Sequence, residues 1–66
     1  MLIDFAKHIL LRLGLEPIAL ENALYLYVSP PDRPLPLKRV AAIVDGRVNI
    51  DEWATFMDEY SRGFHH

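Results

Sequence analysis

Residues 40–50 of this 66-residue chain read VAAIVDGRVNI, and the fold class depends on how they fold. Placed at 100° intervals around a helix, the apolar side chains form one contiguous arc, and Gly46 follows as a C-terminal cap. The competing interpretation is a hairpin, because Asp45-Gly46 between two β-branched segments is a strong signal for a two-residue turn. As a strand, however, the segment would put Lys38 on the same face as valine side chains. The pattern therefore favours a helix over residues 36–45.

Residues 50–62, which follow directly, give the clearest helix pattern in the chain. Asn49, followed three residues later by Glu52, resembles a capping box, and acidic residues in the first turn suit the helix dipole. Polar side chains occupy one side of this helix. The other side carries an aromatic stripe, which consists of Trp53, Phe56, Met57 and Tyr60.

Upstream, residues 17–28 admit either a helix or a strand. Pro17 suits a first helical turn, and the prolines from Pro30 onward cannot continue a helix. The apolar side chains between them cover one wide helical face. As a strand, residues 23–28 would instead place the leucines on one side and the tyrosines on the other. We expect the helix and keep the strand as the alternative.

The first segment, residues 2–13, predicts an amphipathic helix. Its apolar side chains share one broad arc, its charged side chains form the opposite stripe, and Gly14 is placed as a C-terminal cap. Leu11 is the exception, because it falls inside the polar stripe.

The expected fold is a single domain over residues 1–66, an all-α bundle with a proline-rich connection at 29–36. Its four short helices are predicted at 2–13, 17–28, 36–45 and 50–62. If residues 23–28 and 40–50 are strands, the alternative is an α+β fold in which two helices flank a small antiparallel sheet. A hydrophobic content of 52% supports a packed core in either case.

One stretch resembles a known metal-binding loop. Residues 45–53 resemble the second half of an EF-hand loop, with a turn glycine, a closing glutamate and an aromatic residue after it. Ala41 and Ile43 stand where the first carboxylate ligands should be, so calcium would lack ligands. Asp4 and His8 are one helical turn apart, but no spacing completes a tetrahedral site. We therefore expect no metal.

The residue types needed for catalysis are sparse. The chain has no cysteine, and neither of its serines, Ser29 and Ser61, lies in a glycine-bracketed turn. The carboxylate pairs of residues 50–62 lie on the polar face, where solvated charge is the ordinary interpretation. We expect no enzyme activity and no cofactor. No apolar run is long enough to span a membrane, and the lack of cysteine agrees with a cytoplasmic protein.

Apolar surface is in excess for so short a chain, because a small core cannot cover wide apolar arcs on every segment. We expect a non-enzymatic protein-interaction module, a small regulator, inhibitor or assembly factor that binds a protein or itself as a homodimer. Aromatic and methionine side chains concentrate at binding hot spots. The candidate contact residues are Leu11, Tyr25, Trp53, Phe56, Met57 and Tyr60.

The alternative is a dimeric regulator associated with nucleic acid. It would use the basic residues of the middle region, which are Arg33, Lys38, Arg39 and Arg47. The helix that would enter the groove is acidic, however, and phosphates would repel it. We do not expect nucleic acid to be the main partner.

Overall fold

The computed structural model describes residues 1–27 and 37–63, which form two helices and a four-stranded antiparallel sheet. In chain order the elements are α1 (Ile3–Arg12), β1 (Pro17–Ala19), β2 (Ala23–Tyr27), β3 (Leu37–Val44), β4 (Arg47–Val48) and α2 (Ile50–Ser61). The strands keep this order in the sheet, so each one pairs with its neighbour along the chain. The predicted all-α bundle, and with it the description as a small helical domain, is wrong. The fold is α+β, and the proline-rich connection predicted at 29–36 lies outside the described residues.

The predicted helix at 36–45 is replaced by β3, which continues through a tight turn into β4. Asp45 and Gly46 have φ values of 52° and 74°. Two successive positive φ angles are what a type I′ hairpin turn requires, and Asp-Gly supplies them at low cost. Val44 pairs with Arg47 on either side of this turn. Gly46 therefore serves a hairpin turn rather than capping a helix.

A β-bulge explains why β3 does not show clean alternation in the sequence. Leu24 of β2 pairs with Ala41, and the next residue of β2, Tyr25, pairs with Arg39, which leaves Val40 as an extra residue in β3. Val40 and Ala41 are consecutive, yet both are buried, with 5% and 0% of their surface exposed. A bulge reverses the in-and-out pattern along a strand. A test for regular alternation therefore fails on this segment although it is a strand.

The predicted helix at 17–28 is also wrong, because this segment forms the antiparallel strands β1 and β2. Pro17 pairs with Leu26, and Ala19 pairs with Leu24. Both leucines are fully buried, while Tyr25 between them is half-buried. The strand interpretation had placed the leucines and the tyrosines on opposite sides. Burial of the two leucines in the core decides in its favour.

The two helices predicted at the ends of the chain are present as α1 and α2. Ala6 and Leu10 of α1 are fully buried. At the start of α2, the side-chain oxygen of Asn49 accepts a hydrogen bond from the Glu52 N–H at 2.9 Å. This half of the predicted capping box forms.

The start of the chain extends the sheet beyond β4. Leu2 forms a β-bridge with Arg47, and Met1 exchanges two backbone hydrogen bonds with Val48. Because residues directly opposite each other share a face of the sheet, Met1, Val48 and Ile43 form one row across it. This inner row packs on the core. The fully or mostly buried core side chains are Ala6, Leu10, Leu24, Leu26, Val40, Ala41, Val48, Trp53 and Phe56.

Candidate protein-interaction surface

A second row of side chains crosses the same strands on the opposite face. Leu2, Arg47 and Val44 lie directly opposite one another in the register of the chain start, β4 and β3. They alternate with the inner row, so they point away from the core. Leu2 is 59% exposed and Val44 is 58% exposed. Two large apolar side chains therefore flank an arginine in open solvent.

Phe5 extends this row onto α1. Leu2 is the N-cap residue of α1, and Phe5 follows it by three positions, a spacing that places side chains next to each other at a helix start. Phe5 is 56% exposed. We call the set Leu2, Phe5, Val44 and Arg47 the outer-row surface. Within the described ranges, Arg47 forms no salt bridge, so its charge is available to a partner.

The aromatic stripe of α2, which the sequence marked as candidate contact surface, faces the interior. Trp53 and Phe56 belong to the core and are 7% and 3% exposed. Met57 and Tyr60 are half-buried and pack against them. The Phe56 ring lies 6.4 Å from the rings of both Trp53 and Tyr60. In this fold, Trp53 and Phe56 are core residues rather than part of an exposed contact face.

The other two candidate contact residues, Leu11 and Tyr25, are not brought together. Leu11 is 58% exposed on α1. It lies six residues after Phe5, which is about 120° away around the helix axis. Tyr25 is half-buried in β2 and pairs with Ile18 and Arg39. Leu11 is thus an isolated exposed side chain on a different side of α1 from Phe5.

Lys38, Arg39 and Arg47, the basic residues of the alternative function that the structure describes, do not form one patch. Lys38 and Arg39 lie near the start of β3, and an Arg39 guanidinium nitrogen is 3.2 Å from a carboxylate oxygen of Glu52. Arg47 lies at the hairpin, and its partner Val44 is six residues from Lys38, or about 20 Å along a strand. Arg33 lies outside the described residues. These three cations are therefore divided between the two ends of β3.

A groove lies between β3 and α2 and has a volume of about 300 Å³. The carboxylate of Glu52 fixes its geometry, because Oε1 accepts a hydrogen bond from the Ala42 N–H at 2.7 Å and also contacts Arg39. The sequence predicted Glu52 only as a helix-capping residue. No signal in the sequence pointed to this contact, because it depends on the hairpin that brings Ala42 near α2. The groove is lined by Arg39, Val40, Asp51, Glu52, Thr55, Phe56 and Glu59.

Reactive chemistry has few candidate groups in the part of the chain that the structure describes. The hydroxyls of Thr55 and Ser61 donate to backbone carbonyls of their own helix, at 3.1 Å and 2.8 Å. Among residues 1–27 and 37–63, no three histidine, aspartate or glutamate side chains are placed so that they could hold a metal ion together. In the same ranges, neither helix is long and apolar enough to cross a membrane. The expectations of no metal, no cofactor and no enzyme activity remain predictions.

Comparison with known proteins adds no further constraint, since no family model, curated protein or solved structure matches this chain. The two features that suggest a function are the outer-row surface and the groove between β3 and α2. The sequence predicts part of the outer-row surface only if residues 40–50 are interpreted as a hairpin. Once Asp45-Gly46 is taken as a two-residue turn, Val44 and Arg47 must lie opposite each other.

Proposed function

We propose that this domain is a non-enzymatic protein-interaction module that binds through the outer-row surface. The observation that supports the proposal most is the pair of leucine and valine side chains, Leu2 and Val44, more than half exposed on either side of Arg47. Apolar side chains scattered singly over a surface are ordinary, whereas neighbouring ones mark contact sites. Arginine among apolar side chains is also typical of protein interfaces.

A second copy of the chain is the partner that this surface suits best. In a two-fold dimer, the same patch faces itself. Asp4 and Asp45, which adjoin the patch residues Phe5 and Val44 in the chain, would supply carboxylates for Arg47 of the other copy. Within the described ranges, neither of these carboxylates forms a salt bridge. Apolar contact with reciprocal charge pairs would favour association of two copies.

Small size gives the domain a physical reason to associate. A 66-residue chain buries a smaller fraction of its surface than larger domains do, and it has no disulfide to restrict the unfolded state. Covering Leu2, Phe5 and Val44 would add apolar burial at about 25 cal/mol per Å². A role as a small regulator, inhibitor or assembly factor, acting in the cytoplasm, is consistent with this module. The cytoplasmic location is supported by the absence of cysteine.

Sedimentation equilibrium of two matched variants tests this proposal. Val44→Glu removes an apolar side chain from the outer-row surface. It places a carboxylate opposite Arg47, and such an opposite-charge pair across two strands is compatible with the fold. Leu11→Glu makes the same kind of change at an equally exposed position that lies elsewhere. We expect the wild-type chain to form dimers, and we expect Val44→Glu to weaken dimerisation about tenfold or more, in line with loss of a central apolar contact. Leu11→Glu should dimerise like the wild type.

Two results would count against the proposal. A wild-type chain that stays monomeric at millimolar concentration would exclude the second copy as partner. Equal loss of association in Val44→Glu and Leu11→Glu, or loss in Leu11→Glu alone, would move the interface away from the outer-row surface. Circular dichroism of both variants confirms that each remains folded.

A further inference from the structure

Near Arg39, the edge of β3 that faces α2 carries backbone groups beside which no strand of residues 1–27 or 37–63 lies. In β2, the Ala23 carbonyl accepts a hydrogen bond from the Leu20 N–H, and the Tyr27 N–H donates to the Glu16 carbonyl. Both residues therefore direct their backbone groups toward β1. Because the backbone N–H and C=O groups of successive residues point to alternate edges of a strand, Leu24 and Leu26 direct their backbone groups toward β3. Lys38, which pairs with Leu26, therefore directs its backbone groups toward β2. The N–H and C=O of the next residue, Arg39, point to the opposite edge.

The same edge is closed further along, at Ala42. Its C=O accepts from the Asn49 N–H at 2.9 Å, and its N–H donates to Glu52 at 2.7 Å. β4 ends at Val48, so it does not reach Arg39. Outside the β2–β3 ladder, the described residues make no hydrogen bond to the Arg39 N–H or C=O. A strand edge of this kind is a ready template for an added strand.

The groove beside this edge has a charge that suits a basic strand. One wall is β3 with Arg39 and Val40, and the facing wall is α2. Three carboxylates line the groove, at Asp51, Glu52 and Glu59, against one guanidinium. Glu52 already pairs with Arg39 at 3.2 Å. The charges of the other two carboxylates are not compensated by any salt bridge in the described ranges.

We propose that the groove between β3 and α2 binds an extended peptide segment that carries lysine or arginine side chains. The segment adds to the Arg39 edge of β3 by backbone hydrogen bonds, and its basic side chains meet Asp51 and Glu59. Strand addition supplies affinity through the main chain, while the pockets beside it select side chains. This inference goes beyond the proposed function, because it assigns a second binding site on residues that the outer-row surface does not include.

Titration of the full ¹⁵N-labelled chain with a defined peptide tests the proposal. The probe is acetyl-Thr-Lys-Val-Lys-Val-Lys-Thr-amide, whose alternation suits a strand and whose charge suits the groove. We expect saturable shifts of the Arg39 amide and slower hydrogen exchange at that amide. The peptide with glutamate in place of each lysine should give neither effect, and added salt should weaken binding of the lysine peptide.

Two N-methylated peptides separate strand addition from simple charge attraction. In an added strand, the N–H groups of alternate residues face β3 and the others face away. Methylation of the valine nitrogens and methylation of the lysine nitrogens must therefore have opposite consequences. We expect one of these peptides to lose binding and the other to retain it. Equal behaviour of the two peptides would overturn strand addition.

Variants of the groove complete the test. The double variant Asp51→Asn, Glu59→Gln should weaken binding of the lysine peptide about three- to thirtyfold, as expected for two partly exposed charge pairs. Asp58→Asn, on the same helix but outside the groove lining, is the matched control and should bind like the wild type. Val44→Glu should also bind normally, which separates this site from the proposed dimer interface. Unchanged binding by the double variant, shifts confined to the outer-row surface, or no binding at millimolar peptide would each refute the proposal.

Discussion

The inner row and the outer-row surface use the same strands and the same residue types, yet their surroundings are opposite. Val48 of the inner row is 2% exposed, whereas Val44, in the adjacent residue pair across the hairpin, is 58% exposed. Both are valines in β-strands, so strand propensity does not distinguish them. Register, rather than composition, therefore decides which apolar residues form the core and which remain exposed for a partner.

The largest difference between the two rows is expected when a charged side chain is placed in each. Val48→Asp buries a carboxylate without a partner, at a cost of about 3–5 kcal/mol, which approaches the whole stability of a small domain. We expect this variant to be largely unfolded. Val44→Glu should change the free energy of unfolding by no more than about 0.5 kcal/mol, because its side chain stays in solvent. Urea denaturation followed by circular dichroism measures the free energy of unfolding of both variants. Similar losses of stability in the two would contradict the placement of Val48 in the core and Val44 in solvent.

A second, smaller effect concerns the contact that holds α2 against β3. In Glu52→Ala the Ala42 N–H loses its acceptor and Arg39 loses its ion pair. We expect destabilisation by about 1–3 kcal/mol, the cost of an unsatisfied, partly buried donor. Glu59→Gln on the same helix is the control, since the structure assigns Glu59 no such bond. A Glu52→Ala variant as stable as Glu59→Gln would mean that the carboxylate does not fix α2.

The smallest effect is expected at the turn that sets the register of both rows. Gly46 has a φ of 74°, and nothing lies within 4 Å of a side chain added there. Gly46→Ala should therefore cost about 1–2 kcal/mol through backbone strain alone, and Gly46→Asn should cost less because asparagine tolerates positive φ. Thermal melts of the two variants compare these costs. If alanine and asparagine are equally tolerated, the turn is not the type I′ turn described.

The sequence predicted the terminal helices because each has an amphipathic pattern with a period of 3.6 and end signals in the right places. α2 begins after Asn49, and α1 ends before Gly14. The strands were predicted only as the alternative to helices, for two physical reasons. A continuous apolar segment such as residues 23–27 fits a buried strand as well as a helix. In β3, the bulge at Val40 breaks the alternation that would have identified a strand.

The candidate surface was harder to predict than the fold. Aromatic residues marked α2 as a binding face, but Trp53 and Phe56 fill the core once a sheet lies beneath them. Leu2 and Val44 are 42 positions apart in the chain, and they share a row only because the chain start pairs with β4. Pairings over such a distance leave no periodic pattern. The Asp45-Gly46 turn was the one local signal from which part of this surface followed.

The most direct test of the central claim is the concentration dependence of the amide shifts of the wild-type chain, followed from dilute solution to millimolar. The outer-row surface, as the contact between copies, predicts shifts that grow together at Leu2, Phe5, Val44 and Arg47, with none at Leu11. Val44→Glu should move this concentration dependence to about tenfold higher concentration or beyond, while leaving the rest of the spectrum in place. Spectra that do not change with concentration, or shifts centred on Leu11, would contradict the account.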